Sequence, residues 1–210
     1  KKSMRVKTSR TTLFDGMRSI NFLAARSHEQ LNNHLSYQLA TLIGLVAPRT
    51  EMVRIYMNGK DRGVYILVEQ PKEIMLRNRN LMPGDLYRGE LISGTKDDYI
   101  GSGIHSLFES AAVWDKVAVN NHYDEATKAP LAHLIKLIRG PNSTSSQAAL
   151  SKMLDLQAWG QFSAYESLTQ SKHTDEIHNW RLYYDPWRQK FVPAVWDTMG
   201  WFDNLKRDSR

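Results

Sequence analysis

The chain contains no cysteine. Thiol nucleophiles, thiolate zinc sites and disulfides are therefore excluded, although cysteine-free proteins occur in every compartment. No apolar run approaches the ~18 residues of a membrane span, and no signal peptide opens the chain. The first residue is Lys1 rather than methionine, so we expect a piece of a longer protein, and missing targeting signals exclude no location. There is no internal repeat, no low-complexity tract and no glycine-rich phosphate loop of the G-x-G-x-x-G type. Gly101-Ser102-Gly103 reads as a linker. The formal charge is +6, but the basic residues are scattered. Without a continuous basic face or interleaved stacking aromatics, a nucleic-acid partner is not expected. A basic cleft facing nucleotide phosphates, or an acidic protein substrate, would use the same surplus.

What is present is enough chain, 210 residues, for one large domain or two small lobes sharing a cleft. A chain of this length buries roughly 70% of its unfolded surface and needs no metal or disulfide staple. Residues 4–8 alternate apolar and polar and read as a strand with Arg5 and Lys7 on one face. Asp15-Gly16 signals a turn, and residues 18–23 the paired strand. Residues 27–44 read as a helix: Ser27 and Gln30 make a capping box, Leu31, Leu35, Leu39 and Leu42 form an apolar stripe, and Gly44 supplies a left-handed stop. His28 and His34 are expected to face solvent. Residues 52–70 read as a hairpin turning at Gly59-Lys60-Asp61 and closed by Pro71. A short helix near Glu73 follows, then a strand through DLYRGELI. Residues 97–121 suggest helix packing through Leu107, Phe108, Val113 and Trp114. Three helices come next, with Ser146 capping the second and Asp155 the third, which runs to about Ser171.

The stretch HTDEIHNWRLYYDPWRQKFVPAVWDTMGW, residues 173–201, has the order loop, strand, turn, strand, loop. Trp180, Leu182 and Tyr184 alternate with Arg181, Tyr183 and Asp185, the period of a half-buried strand. Asp185-Pro186 breaks the ladder, and residues 191–196 return. A hairpin brings its two ends together, so Asp175, Asn179 and Asp197 converge at one edge. Two carboxylates and an amide in one place suit a hard divalent cation. Their layout parallels phosphoryl transfer, although the Asp175-to-Asn179 spacing is one residue shorter than a kinase catalytic loop and Asp197-Thr198-Met199-Gly200 is not D-F-G.

The run LNNHLSYQLATLIGLVAPRTEMVRIYMNGKDRGVYILVEQPKEIML, followed by GDLYRG and later by HTDEIHNWRLYYD and FVPAVWD, resembles the spore coat protein H (CotH) kinase family. That family pairs a leucine-rich helix with an N-G…G-V-Y-x-L-x-E hairpin and a G-x-L-Y-K element, then carries an Asp…HN segment, a strand pair and a closing W-D. The resemblance spans about residues 5–202. It implies an α+β, atypical protein-kinase-like fold of two lobes. Residues 1–95 would be a strand-rich N-terminal lobe, and residues 96–210 a mainly helical C-terminal lobe carrying the catalytic hairpin. It also implies transfer of the ATP γ-phosphate to serine, or threonine, of a protein substrate with Mg²⁺ or Mn²⁺. By that resemblance Asp175 is the catalytic base, Asn179 a metal ligand, and Asp197 both catalytic and the main metal ligand. Lys7, Glu69 and Arg88 are candidate nucleotide-binding residues, with Glu69 near the inter-lobe hinge. Arg88 stands where the family carries lysine, and a guanidinium keeps the charge but not the geometry. The family implies a bacterial cell-surface, secreted or spore-coat setting. Two alternatives stay open: a catalytically inactive coat or surface binding module, and a hydrolase holding a transition metal on His173, Asp175, His178 and Asp197.

Overall fold

A computed structural model describes residues 2–9, 11–25, 28–91, 103–118, 127–171 and 173–198. The chain is α+β, with two four-stranded antiparallel sheets and five α-helices among the described residues. In chain order these are β1 (Met4–Lys7), β2 (Ser19–Ala24), α1 (His28–Leu42), β3 (Thr50–Met57), β4 (Lys60–Glu69), α2 (Glu73–Asn78) and β5 (Asp85–Gly89). They continue with β6 (Trp114–Lys116), α3 (Ala129–Arg139), α4 (Thr144–Met153), α5 (Leu156–Thr169), β7 (Trp180–Asp185) and β8 (Lys190–Pro193). Two 3₁₀ turns, Leu107–Glu109 and Ala111–Val113, precede β6.

The first sheet has the order β1-β2-β4-β3 and the second β6-β5-β7-β8. Strand β5 pairs with both β6 and β7, so the second sheet draws on chain from both sides of residue 95. The β3–β4 and β7–β8 hairpins form where alternation and turn residues predict them. In the second turn the Asp185 carboxylate accepts the amides of Trp187 and Arg188, a local bond that stops the strand. Gly44 ends α1 with φ +84°, the left-handed geometry glycine adopts without steric cost.

Several expectations change. Where helix packing was expected, the described residues 103–118 form two 3₁₀ turns and the short strand β6; Ser106 and Ser110 each cap a turn by accepting an amide. Helix α4 is capped by Ser143, which accepts from Ser146, rather than by Ser146 itself. The proposed box at Ser27 lies outside the described residues. His34 is half-buried and bonded to the Thr50 hydroxyl at 3.0 Å. The largest change is the face of α1. Leu31, Leu35 and Leu42 are exposed, while Asn32, Asn33, Ser36, Tyr37 and Ala40 are buried. Strand β7 is buried on both faces rather than one, because Leu182 packs with Tyr87 and Leu131 while Tyr183 packs in a separate cluster with Leu76 and Leu86.

Besides the cluster of Tyr183 and Val192 with Leu76 and Leu86, two apolar clusters seat the hairpin. One joins β5, β7 and β8 to α3 through Tyr87, Leu182, Phe191, Leu131 and Leu134. The other joins α1, β4 and α5 through Tyr37, Ile66, Val68, Phe162 and Tyr165, and receives Val195. The Val195 amide donates to the Val46 carbonyl at 2.8 Å, fixing the path of the chain that leaves β8 toward Asp197.

Candidate phosphoryl-transfer site

The two ends of the β7–β8 hairpin meet, as a hairpin requires. Asn179, just before β7, and Asp197, beyond β8, both hold left-handed backbones with φ +66° and +48°. Asparagine and aspartate tolerate this region better than other non-glycine residues. His173 ties the ends together. Its Nδ1 lies 2.5 Å from the Asp197 carbonyl oxygen, 3.5 Å from Asp197 Oδ2 and 3.0 Å from Asn179 Nδ2. The Asn179 amide also donates to the His173 carbonyl at 2.8 Å. Asn179 Oδ1 is thereby turned away from those contacts, and Asp197 keeps a carboxylate oxygen toward the same imidazole.

Asp175 is held by its own loop. Its Oδ1 accepts the amides of Ile177 and His178, each at 2.9 Å, and faces His178 Nδ1 at 2.6 Å. Burial alone would raise this carboxyl, but the Ile177 amide and the His178 ring and amide outweigh it and hold it below the usual aspartate range. The Asp175 carbonyl accepts the Trp180 indole at 2.6 Å. That indole packs among Phe108, Trp159 and Phe162, with ring centroids 5.3 to 6.1 Å apart. The loop is pinned further by Leu91 and Leu107, whose amides donate to the Ile177 and Glu176 carbonyls at 2.8 Å. Oδ2 of Asp175 stays clear of these bonds.

A cleft of about 650 Å³ opens onto this place. Its walls include His173, His178, Asn179 and Asp197, with Arg88 from β5, Glu90 just beyond it, Arg181 from β7, Arg5 from β1, and Gln70, Pro71 and Lys72 after β4. Asp175 itself does not line it; His178, which its carboxylate holds, does. Arg88 and Arg181 are direct cross-strand neighbours. Each has a counter-ion: Arg88 binds Asp115 through Nε at 3.0 Å and through Nη2, and Arg181 binds Glu90 at 2.9 Å. Arg181 is buried with its guanidinium 5.1 Å from the Trp196 ring centre. Burial pulls its pKa down, and Glu90 opposes that pull.

Of the residues singled out from sequence, Arg88, Asn179 and Asp197 share this cleft, with Asp175 one side chain behind it. Lys7 and Glu69 lie in an adjoining hollow of about 520 Å³, which shares Gln70, Lys72 and Val117 with the cleft. Glu69 is buried, and its carboxylate caps the Arg49 amide at 3.1 Å and takes the Asn78 side chain at 2.9 Å. Sequence reasoning missed Lys72, Glu90 and Arg181, and it noted Arg5 only as the companion of Lys7. The β5–β7 register, which makes Arg181 the neighbour of Arg88, is the signal that would have found it.

The oxygen set suits a hard cation: Asp197 and Asn179 supply carboxylate and amide oxygens, and Mg²⁺ takes one or two protein ligands with phosphates completing its shell. Among the described residues no three His, Asp or Glu side chains are grouped to hold a metal ion. The transition-metal centre on His173, Asp175, His178 and Asp197 is therefore not assembled. No helix among the described residues is long and apolar enough to cross a membrane.

The inner spore coat protein H of Bacillus subtilis (strain 168) is 25% identical over 203 residues, covering 94% of this chain and 53% of that protein. The chain thus spans about half the length of the curated relative it matches. The family model described as CotH kinase protein matches residues 1–210, and the chain belongs to the CotH kinase protein family.

Proposed function

We propose that this chain is an atypical, two-lobed protein kinase that transfers the ATP γ-phosphate to serine, or threonine, of a protein substrate. The observation that carries the reading is the meeting of Asn179 and Asp197 on one imidazole at the mouth of a cleft walled by Arg5, Lys72, Arg88 and Arg181. Phosphoryl transfer asks a protein for positioning and charge neutralisation more than for covalent chemistry. This set of side chains supplies both.

In this reading Asp197 and Asn179 hold Mg²⁺ or Mn²⁺, which neutralises phosphate charge when bound. Arg88 offers a guanidinium to the phosphates, a forked donor in place of the family's ammonium. Arg181, fixed by Glu90 and the Trp196 ring, adds positive potential that is muted by its counter-ion. Gln70 and Lys72, where the chain leaves β4 toward the second sheet, line both hollows, so a nucleotide base lies toward Lys7 and Glu69 with its phosphates toward Asp197. Asp175 orients the acceptor hydroxyl and takes its proton through Oδ2, the oxygen that its own loop leaves free. A carboxylate held below its ordinary pKa is ionised at neutral pH, as a base must be. The spore-coat relative supports a bacterial surface or coat setting for the substrate.

Incubation with γ-labelled ATP, Mg²⁺ and a serine-rich acceptor, read by phosphopeptide mass spectrometry, tests the proposal. Phosphoserine on the acceptor is the expected result. Nucleotide binding with no transfer in any acceptor would instead make the chain a kinase-shaped binding module.

A further inference from the structure

Helix α1 buries amides where its sequence offers leucines, and what those amides touch is the Asp197 loop. Asn33 Nδ2 donates to Asp197 Oδ1 at 3.0 Å, and Asn33 Oδ1 faces the Thr198 hydroxyl at 3.4 Å. Four residues along, Tyr37 Oη accepts the Asp197 amide at 2.8 Å. On the same face, the Ser36 carbonyl lies 3.3 Å from the Tyr165 hydroxyl, which is 3.4 Å from Thr198 Oγ1. Asn33 and Tyr37 are both almost wholly buried, at 4% and 2% exposure. A buried amide is costly unless both of its ends are bonded, and here both ends are used on two successive residues 164 and 165 positions away.

We infer that Asn33 and Tyr37 are positioning residues that set the Asp197 carboxylate for its metal; the inference rests on the kinase reading for the identity of that metal. Asn33 occupies Oδ1, so Oδ2 is the oxygen presented toward His173 and the cleft. Tyr37 fixes the backbone at a residue whose left-handed φ is uncommon for a side-chain-bearing residue. The hydroxyl remains a neutral partner, because burial and then the Asp197 charge push its pKa far above the ordinary tyrosine value. The helix is itself tied to β3: Gln38 donates to the Thr50 carbonyl at 2.9 Å and His34 meets the Thr50 hydroxyl. Asp197 is thus registered to the first sheet, although it follows a strand of the second.

The test compares Asn33→Leu and Tyr37→Phe with the parent chain in two measurements. The first is ATP affinity by calorimetry with and without Mg²⁺. Partners that orient a metal ligand alter metal affinity by about 10–100-fold when removed, so Asn33→Leu should lose about that much of the Mg²⁺-dependent affinity and leave metal-free ATP binding unchanged. Equal weakening with and without Mg²⁺, or no change in either, would overturn the assignment. The second needs no nucleotide: hydrogen exchange at the Asp197 amide should quicken in Tyr37→Phe, while the β4 amides keep their protection. Unchanged exchange at Asp197 would also overturn it. A parent chain that binds no Mg²⁺-ATP would sink the kinase reading, and the exchange measurement would then decide whether α1 holds the loop.

Discussion

At the scale of single residues, the cleft is a balance of charge. Arg88 is the residue whose chemistry departs from the family pattern, and it shares its guanidinium with Asp115. If it also reaches the nucleotide phosphates, Arg88→Ala should raise the apparent KM for ATP, while Arg88→Lys should be tolerated. Steady-state kinetics over an ATP series decides this; an unchanged KM in the alanine variant would return Arg88 to a purely structural pair with Asp115. The meeting of Asn179 and Asp197 was legible in the sequence because a hairpin's ends must meet, whichever strands flank it, whereas Asp175 stands one side chain behind the cleft. Arg181 and Asn33 were not legible, because a buried polar side chain is explained only by a partner distant in sequence. Glu166, half-buried on α5, is another polar residue that the pattern did not single out. Burial pushes its carboxyl from 4.5 up to about 7, against a hydrogen bond from Thr174. Between those values the folded chain keeps a proton that the unfolded chain has released, so stability falls as pH rises from about 4.5 to about 7 and stays lower above it. Glu166→Gln cannot ionise, and it should raise the Tm more at pH 8 than at pH 4.5. An equal shift at both pH values, in thermal melts, would contradict the burial argument.

At the scale of elements, local pattern set the type of most strands and helices, and tertiary contacts set their faces. The leucine periodicity of α1 predicted the helix correctly and its buried side wrongly. The buried side is the one whose polar groups meet Asp197 and whose Tyr37 and Ala40 pack on β4 and α5. In the same way, alternation in residues 180–185 predicted a strand covered on one face, and two separate apolar clusters, one holding Leu182 and one Tyr183, cover both. Strands β5 and β6 carry a polar cluster that no pattern announced. Lys116 Nζ lies 2.8 Å from Asp85 Oδ1, and Tyr87 donates to Asp85 Oδ2 at 2.7 Å, all deeply buried. Removing one member of a buried ion pair costs about 3–5 kcal/mol. Lys116→Met should therefore lower unfolding free energy by that order in urea titrations. A loss below about 1 kcal/mol, the range of exposed pairs, would show that the cluster is not an anchor for the second sheet.

At the scale of the whole molecule, residues 70–84, α2 among them, link the two sheets, and both sheets contribute side chains to one cleft. Arg5 comes from the first sheet, Arg88 and Arg181 from the second, and Asp197 from a loop gripped by α1. Membership of the CotH kinase protein family and a cleft that gathers carboxylate and amide oxygens with cations are the grounds for the proposed phosphate transfer. The most direct measurement is single-turnover phosphate transfer to a serine-rich acceptor by the parent chain, Asp175→Asn and Asp197→Asn, with Mg²⁺-dependent ATP binding measured on each. Both substitutions preserve side-chain volume at half-exposed positions. Asp175→Asn should bind Mg²⁺-ATP nearly as the parent does while transfer slows on the order of 10²–10⁴-fold, the contribution of a general base. Asp197→Asn should lose both Mg²⁺-dependent binding and transfer. Transfer at the parent rate by Asp197→Asn would contradict the account.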